Sequence, residues 1–300
     1  LYEQQLKAGA VASGEENAVL LQIAMVSWKK RSLPAAAEPF FERLRRSEPA
    51  HPTMLAFFRE WCAAQGDATR LSVILTDAVR VMPDGPGKNA VASEVAKLAE
   101  QGANATKAIE QWRALLRQEP THKEARDALK RLYRQTGNAP ALADLLRQDL
   151  ERIPPEETQA RLPVLREIAL LYREGIRNDA ALASVLSQIV ATDPADTWAL
   201  RDLARVYETL GRWRDLLTVQ SKLAELETDP IARAELYRAV ARRWLEQFNN
   251  VQNAAEAYEK LREAVPDDAE AFDKLRDLYT KRRAYRPLFE LYEREVEQTT

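Results

Sequence analysis

The chain has 300 residues, with 44 Lys and Arg against 46 Asp and Glu, 46% hydrophobic residues and 30% charged. That balance excludes wholesale disorder and a collagen-like chain. A net charge of −2 gives no bulk electrostatic reason to hold nucleic acid or an anionic membrane. Nine glycines are few for the tight turns of sheets, so an all-α chain is expected. Near the start, the longest apolar stretch, Ala18 to Val26, is broken by Gln22 and is far short of the roughly 20 residues of a bilayer span. No segment joins a basic start, an apolar core and a small-residue cleavage site. Cys62 is the only cysteine, which rules out an internal disulfide framework and is compatible with a reducing compartment, with cytoplasm as the default location.

Further along, four prolines mark a period: Pro49, Pro120, Pro194 and Pro266, spaced 71, 74 and 72 residues apart. Thirteen residues after three of them stands a tyrosine (Tyr133, Tyr207, Tyr279), and the first copy has Cys62 there beside Trp61. Seventeen residues after come Gly66, Gly137 and Gly211, with Arg283 in the last copy; five residues further come Leu71, Leu142, Leu216 and Leu288. Upstream of each proline run Ala37, Ala108, Leu182 and Ala254, then Phe41, Trp112, Leu186 and Tyr258, then Leu44, Leu115, Ile189 and Leu261. Steps of four and three residues put these side chains on one helical face, so each period resolves into two helical hairpins.

After Pro194 the pattern is carried by Leu200, Leu203, Tyr207, Gly211 and Leu216; before Pro266 it is carried by Tyr237, Val240, Trp244, Ala254, Tyr258 and Leu261. This resembles the tetratricopeptide repeat family over essentially the whole chain. The resemblance implies an all-α, right-handed superhelical solenoid of about eight helical hairpins, in which helix A of each packs on its own helix B and on the next helix A. The repeat pairs are expected at 14–86, 87–157, 158–230 and 231–300, in one continuous array without independent domains. Residues 1–13 would end a preceding repeat, because Leu1-Tyr2-Glu3 matches Leu291-Tyr292-Glu293, so the chain reads as a window on a longer array. Met25, Asp202 and Lys274 depart from the small residue usual in helix A, and several hairpin turns read one or two residues long. Asp196 and Asp267, with an acid three residues on, are the expected helix caps, and Pro39 and Pro163 imply a late start or a kink.

Catalytic chemistry finds little footing. His51 and His122 each lie two residues after an anchor proline, and equivalent positions one period apart cannot converge on a metal. Cys62 sits at a core position and is expected to be a buried, unreactive thiol. Asp84-Gly85-Pro86-Gly87-Lys88 lacks the first glycine of a phosphate loop, since Met82 stands there. The acid pairs Glu156-Glu157 and Asp267-Asp268 fall in turns or helix starts, and Asn104-Ala105-Thr106, formally a glycosylation sequon, fits a helix start. No catalytic residue, metal site or cofactor is expected, and the chain reads as no enzyme.

What remains is the groove. In the family the concave face is lined by helix A, and carrying those positions over gives Glu124, Asp127, Arg131 and Arg134 after Pro120. After Pro194 it gives Trp198, Arg201, Arg205 and Glu208, flanked by Arg166, Arg173, Arg238 and Arg242; after Pro266 the positions turn acidic with Glu270, Asp273 and Asp277. Arginine suits carboxylates through its planar fork, so one expectation is an acidic peptide or helix held between about residues 160 and 245. The other is that these arginines pair with Glu167, Asp202, Glu208 and Glu235; residues 161–245 hold 13 basic against 12 acidic side chains. The family's carboxylate clamp of Lys, Asn and Arg is absent. The expected function is a non-catalytic protein-interaction scaffold with a protein partner, no nucleic acid and no membrane insertion, and with self-association through exposed array ends. The alternatives are a helical-repeat accessory region of a larger enzyme, or an RNA-processing scaffold of the half-a-tetratricopeptide type.

Overall fold

Leucine and alanine stripes separated by Pro, Gly and Asx punctuation fold as short helices that cannot bury their apolar faces alone. The computed structural model describes residues 15–299, and among them are sixteen α-helices and no strand. The match of Leu1-Tyr2-Glu3 to the last helix lies outside the described residues. In chain order the helices are α1 (Glu16–Met25, continued by a π-helical turn Val26–Lys30), α2 (Pro34–Ser47), α3 (Pro52–Gln65), α4 (Ala68–Val81), α5 (Pro86–Gln101), α6 (Ala105–Gln118) and α7 (Lys123–Thr136). Then follow α8 (Ala139–Leu150), α9 (Thr158–Leu170, with a π-helical turn Leu171–Ile176), α10 (Asp179–Thr192), α11 (Thr197–Thr209) and α12 (Trp213–Leu226). The last four are α13 (Pro230–Phe248), α14 (Val251–Ala264), α15 (Ala269–Arg282) and α16 (Tyr285–Thr299). Odd-numbered helices are the A helices of the repeat and even-numbered ones the B helices.

The chain forms two compact units, residues 15–138 and 139–299. Within each, helices pack mainly on their neighbours in sequence. The core of the first gathers Phe41, Phe57, Phe58 and Trp28, with the rings of Phe41 and Phe57 stacked at 4.4 Å. In the second, Leu217, Tyr237, Tyr258, Leu261 and Tyr279 form a corresponding cluster. The periodic positions account for these cores: Ala37, Phe41 and Leu44 are buried, as are Ala108, Trp112 and Leu115, Leu182, Leu186 and Ile189, and Ala254, Tyr258 and Leu261.

All eight A-to-B connections among the described residues contain one left-handed residue: Ser32, Gly66, Ala103, Gly137, Arg177, Gly211, Asn249 and Arg283. At Gly66 (φ 68°) the next amide, that of Asp67, donates back to the Cys62 carbonyl at 2.9 Å, closing a Schellman turn. The amides of Asn138, Arg212 and Ala284 do the same to Tyr133, Tyr207 and Tyr279. After the turn an Asx side chain starts helix B: Asp67, Asn104, Asn178 and Asn250 each accept the backbone N–H three residues on. The four anchor prolines lie in the turns between hairpins.

Some expectations are corrected. The cap of α15 is Asp268, whose carboxylate accepts the Ala271 N–H at 2.8 Å, and not Asp267. Asp196 caps α11 as expected, through the Ala199 N–H, but the residue three positions on is that alanine and no acid. Pro39 and Pro163 delay nothing: α2 and α9 each begin five residues earlier. So close to a helix start, proline forfeits only one main-chain bond.

Candidate functional site

Within each unit the A helices carry ion pairs that join successive hairpins. In the first unit Lys29 on the α1 turn reaches Glu60 of α3 at 3.2 Å, and Arg59 of α3 forks onto Glu94 of α5 at 2.8–3.0 Å. Lys97 of α5 meets Glu124 of α7 at 2.6 Å, and Arg131 of α7 returns to Glu100 of α5, which also accepts the Trp112 indole N–H at 2.6 Å. Glu124, Asp127 and Arg131 thus line a groove of about 590 Å³ between α5 and α7. Asp127 pairs with Lys130 on its own helix at 3.2 Å. Arg134 stands exposed on the same helix.

In the second unit the ladder repeats at offsets near thirty residues. Arg166 of α9 reaches the buried carboxylate of Asp196 at 2.7 Å, so the α11 cap also receives a charge-assisted bond from the preceding A helix. Arg173, on the π turn after α9, pairs with Asp202 of α11 at 2.7 Å and with its neighbour Glu174 at 2.8 Å, and its guanidinium lies 5.8 Å from the Trp198 ring. Arg205 shares Asp202 from within α11. Arg238 of α13 engages Asp268 and Glu235, and reaches Glu270 at 3.2 Å. Arg242 takes the other Glu270 oxygen at 2.7 Å. That bond holds the Glu270 carboxyl below its ordinary pKa, while the carboxylates raise those of Arg173 and Arg242. Asp273 and Asp277 pair with Arg276 on their own helix.

The six arginines therefore stand in very different states. Arg166, Arg173, Arg238 and Arg242 are bound to acids across the hairpin boundary. Arg201 has the loosest pairing, 4.0 Å from Glu227, and its side chain is 69% exposed; that of Arg205 is 66% exposed. Arg201 also borders a groove of about 390 Å³ between α11 and α13, floored by Leu223, Leu226 and Leu236. The two acids there are already engaged. Glu227 accepts the amides of Thr228 and Asp229, and Glu235 holds Arg238. Sequence reasoning placed the arginines but missed this apolar floor, because its leucines come from a B helix end and the next A helix. It also gave Asp196 and Asp268 only as helix-start acids and did not name Glu227; an offset of 26 to 30 residues between opposite charges is the one signal that marks them as partners of Arg166, Arg238 and Arg201.

The other singled-out residues are structural. His122 caps α7, its Nδ1 accepting the Ala125 N–H at 3.2 Å, and His51 precedes α3 with a buried Nδ1. Cys62 is buried, and desolvation raises its thiol pKa against the pull of Arg70. Asp84 pairs with Lys88 at 2.9 Å across the start of α5. Among the described residues no three His, Cys, Asp or Glu side chains are placed to hold a metal, and no helix is long and apolar enough to cross a membrane.

Eight hairpins with a left-handed A-to-B turn, an aromatic late in every described helix A but α5, and a proline in or beside each turn between hairpins define the repeat. The array is tetratricopeptide-like. The sequence matches no protein-family model and no curated protein. Solved structures of similar fold include that of Naa15/Naa10 bound to HypK-THB, at 16% identity and TM-score 0.44, over 88% of this chain. This chain spans only 39% of that one's length. A tetratricopeptide repeat protein from Parabacteroides merdae aligns at 19% identity and TM-score 0.34, covering 89% of this chain and 99% of its own. YrrB, a TPR protein with an unusual peptide-binding site, aligns at 13% and 0.32, covering 61% and 89%. At these TM-scores the tetratricopeptide-like character rests on the hairpins themselves.

Proposed function

We propose that the chain is a non-catalytic protein-interaction scaffold, and that the A-helix face of residues 139–299 takes an acidic, leucine-bearing peptide or helix. The observation that carries this is the pairing of Arg201, exposed and loosely partnered, with an apolar floor in one groove. A leucine side chain entering between Leu223 and Leu236 would lose its water contacts, and a carboxylate one turn away would meet the Arg201 guanidinium. Arg205, beside it on α11, supplies a second positive charge. The remaining arginines act as struts, and Trp198 offers a half-buried ring at the edge of the same helix.

The test uses fluorescein-labelled dodecamers carrying leucine with Asp or Glu, against dodecamers in which the acids are replaced by Lys. Binding to the full chain is read by anisotropy. Acidic dodecamers are expected to bind, and Arg201→Glu with Arg205→Ala to weaken them by more than about tenfold with circular dichroism unchanged. Equal binding of acidic and basic dodecamers, or an unaffected double variant, would overturn the reading.

A further inference from the structure

The mouth of the groove between α11 and α13 already holds a carboxylate of the protein's own. Glu227 follows the last residue of α12, and its amide donates to the Ala224 carbonyl at 3.3 Å. Its Oε1 accepts the amides of Thr228 and Asp229 at 2.9 and 3.3 Å. Its carbonyl accepts Nε and Nη2 of Arg233 at 2.9 and 2.6 Å. Main chain and side chain are thus both pinned, and the side chain is only 24% exposed. The other oxygen, Oε2, faces Arg201 Nη2 at 4.0 Å, beyond hydrogen-bonding reach. Glu227 therefore draws the Arg201 guanidinium over the groove by charge without bonding it, and the planar donor fork stays open to an outside acceptor.

The other charges around the groove are committed elsewhere. Asp229 spends its carboxylate on the amides of Ile231 and Ala232 at the start of α13, Glu235 shares Arg238 with Asp268, and Arg233 is turned onto the Glu227 carbonyl. Helices α11 and α13 run the same way, because Arg201 meets Glu227 near their starts and Glu208 meets Arg243 near their ends. Arg205, bonded to Asp202, lies one turn further along α11 from Arg201, away from Glu227. An acid entering from the Arg205 side meets two guanidinium groups; one entering from the opposite side meets a fixed like charge. We propose that Glu227 is the specificity-determining residue of this groove. It admits a ligand carrying one acid beside the inserted leucine and turns away a ligand with acids on both sides of it. The proposal rests on the reading of the groove as a site for an acidic, leucine-bearing ligand.

Three fluorescein-labelled dodecamers test this by anisotropy on the full chain at low salt: leucine with one Glu a turn before it, with one Glu a turn after it, and with both. The native chain is expected to bind the two-acid peptide at least about threefold more weakly than the better one-acid peptide. Glu227→Gln keeps an acceptor for the Thr228 and Asp229 amides, so circular dichroism should be unchanged, and the two-acid peptide should draw level or bind more tightly. Glu225→Gln removes the same charge two residues away, where Glu225 pairs with Lys260 of α14 at 3.1 Å, and should leave the native order intact. At about 1 M salt, where the screening length is about 3 Å, the native discrimination should disappear. A native chain that binds the two-acid peptide at least as well as either one-acid peptide overturns the proposal and leaves the acidic-ligand reading standing. An equal response to Glu227→Gln and Glu225→Gln, or a discrimination that survives high salt, overturns it as well. Failure of all three peptides to bind removes the acidic-ligand reading itself, and the role of Glu227 with it.

Discussion

Tyr133, Tyr207 and Tyr279 each turn a hydroxyl toward the residue twenty positions back on the preceding B helix. Arg113 Nε donates to Tyr133 at 2.6 Å, Ser187 Oγ and Tyr207 share a hydrogen at 3.0 Å, and Tyr279 donates to Glu259. The ring fills the wedge between hairpins while its oxygen stays satisfied, as a buried phenol requires. Where the first repeat pair carries Cys62, no hydroxyl reaches back, and the corresponding Glu42 instead receives Arg70 at 2.6 Å. A different residue has the clearest consequence for pH. Glu270 has a lowered pKa, chiefly through the hydrogen bond from Arg242 and then through the charges of Arg242 and Arg238. A carboxyl whose folded pKa lies below its unfolded one contributes stability that is fully present above the unfolded value and is lost as pH falls through the folded one. Half-exposed, it contributes modestly. Thermal melts from pH 7 to 3 should therefore show a steeper decline below about pH 4.5 in the native chain than in Glu270→Gln. Parallel acid limbs in the two proteins would show that this pair is not linked to folding.

At the scale of elements, the connections are more uniform than the sequence suggests. Glycine marks the left-handed position at Gly66, Gly137 and Gly211, yet Ser, Ala, Asn and Arg take the same conformation at the other five turns. What selects it is the pair of Schellman carbonyls at the end of helix A, which need donors whatever the side chain. At Arg283 (φ 53°) a β-carbon sits in a conformation that disfavours it. Arg283→Gly should raise stability by roughly 0.5–1 kcal/mol, and Gly137→Ala should lower it by a similar amount. Opposite shifts in urea midpoint at constant m-value would confirm both, whereas shifts of the same sign would refute the turn account. These turns also explain what could be read in advance. The Pro, Tyr and Leu positions were legible because helix stacking forces one face to be apolar at fixed spacing. The left-handed Ser32, Ala103 and Arg177 were not, since their side chains give no backbone signal. In the candidate site, the arginines could be placed from the repeat register, but their fate depended on acids about thirty residues away that no 3.6-residue period constrains.

For the whole molecule, the sequential packing of hairpins governs how stability is distributed. Stacked repeats touch mainly their neighbours, so a local loss propagates through nearest-neighbour contacts and fades with distance. The ion-pair ladder adds little to this in water, because most of its members are half-exposed and screened. Its use is to fix register between successive A helices. The aromatic cluster does more: Phe57 is buried at 0% exposure, stacked on Phe41 and Trp61 and edge-on to Trp28 and Phe58. Phe57→Ala should cost about 3–5 kcal/mol within its own hairpins. Native-state hydrogen exchange should then show protection lost across α1 to α5 and unchanged across α12 to α16, whose apolar cluster contains none of the same residues. Unfolding followed by far-ultraviolet dichroism would broaden or split, since a weakened first core and an intact second one no longer melt together. If protection instead falls equally in α12–α16, the two units fold as a single cooperative body and nearest-neighbour stacking is not what limits their stability.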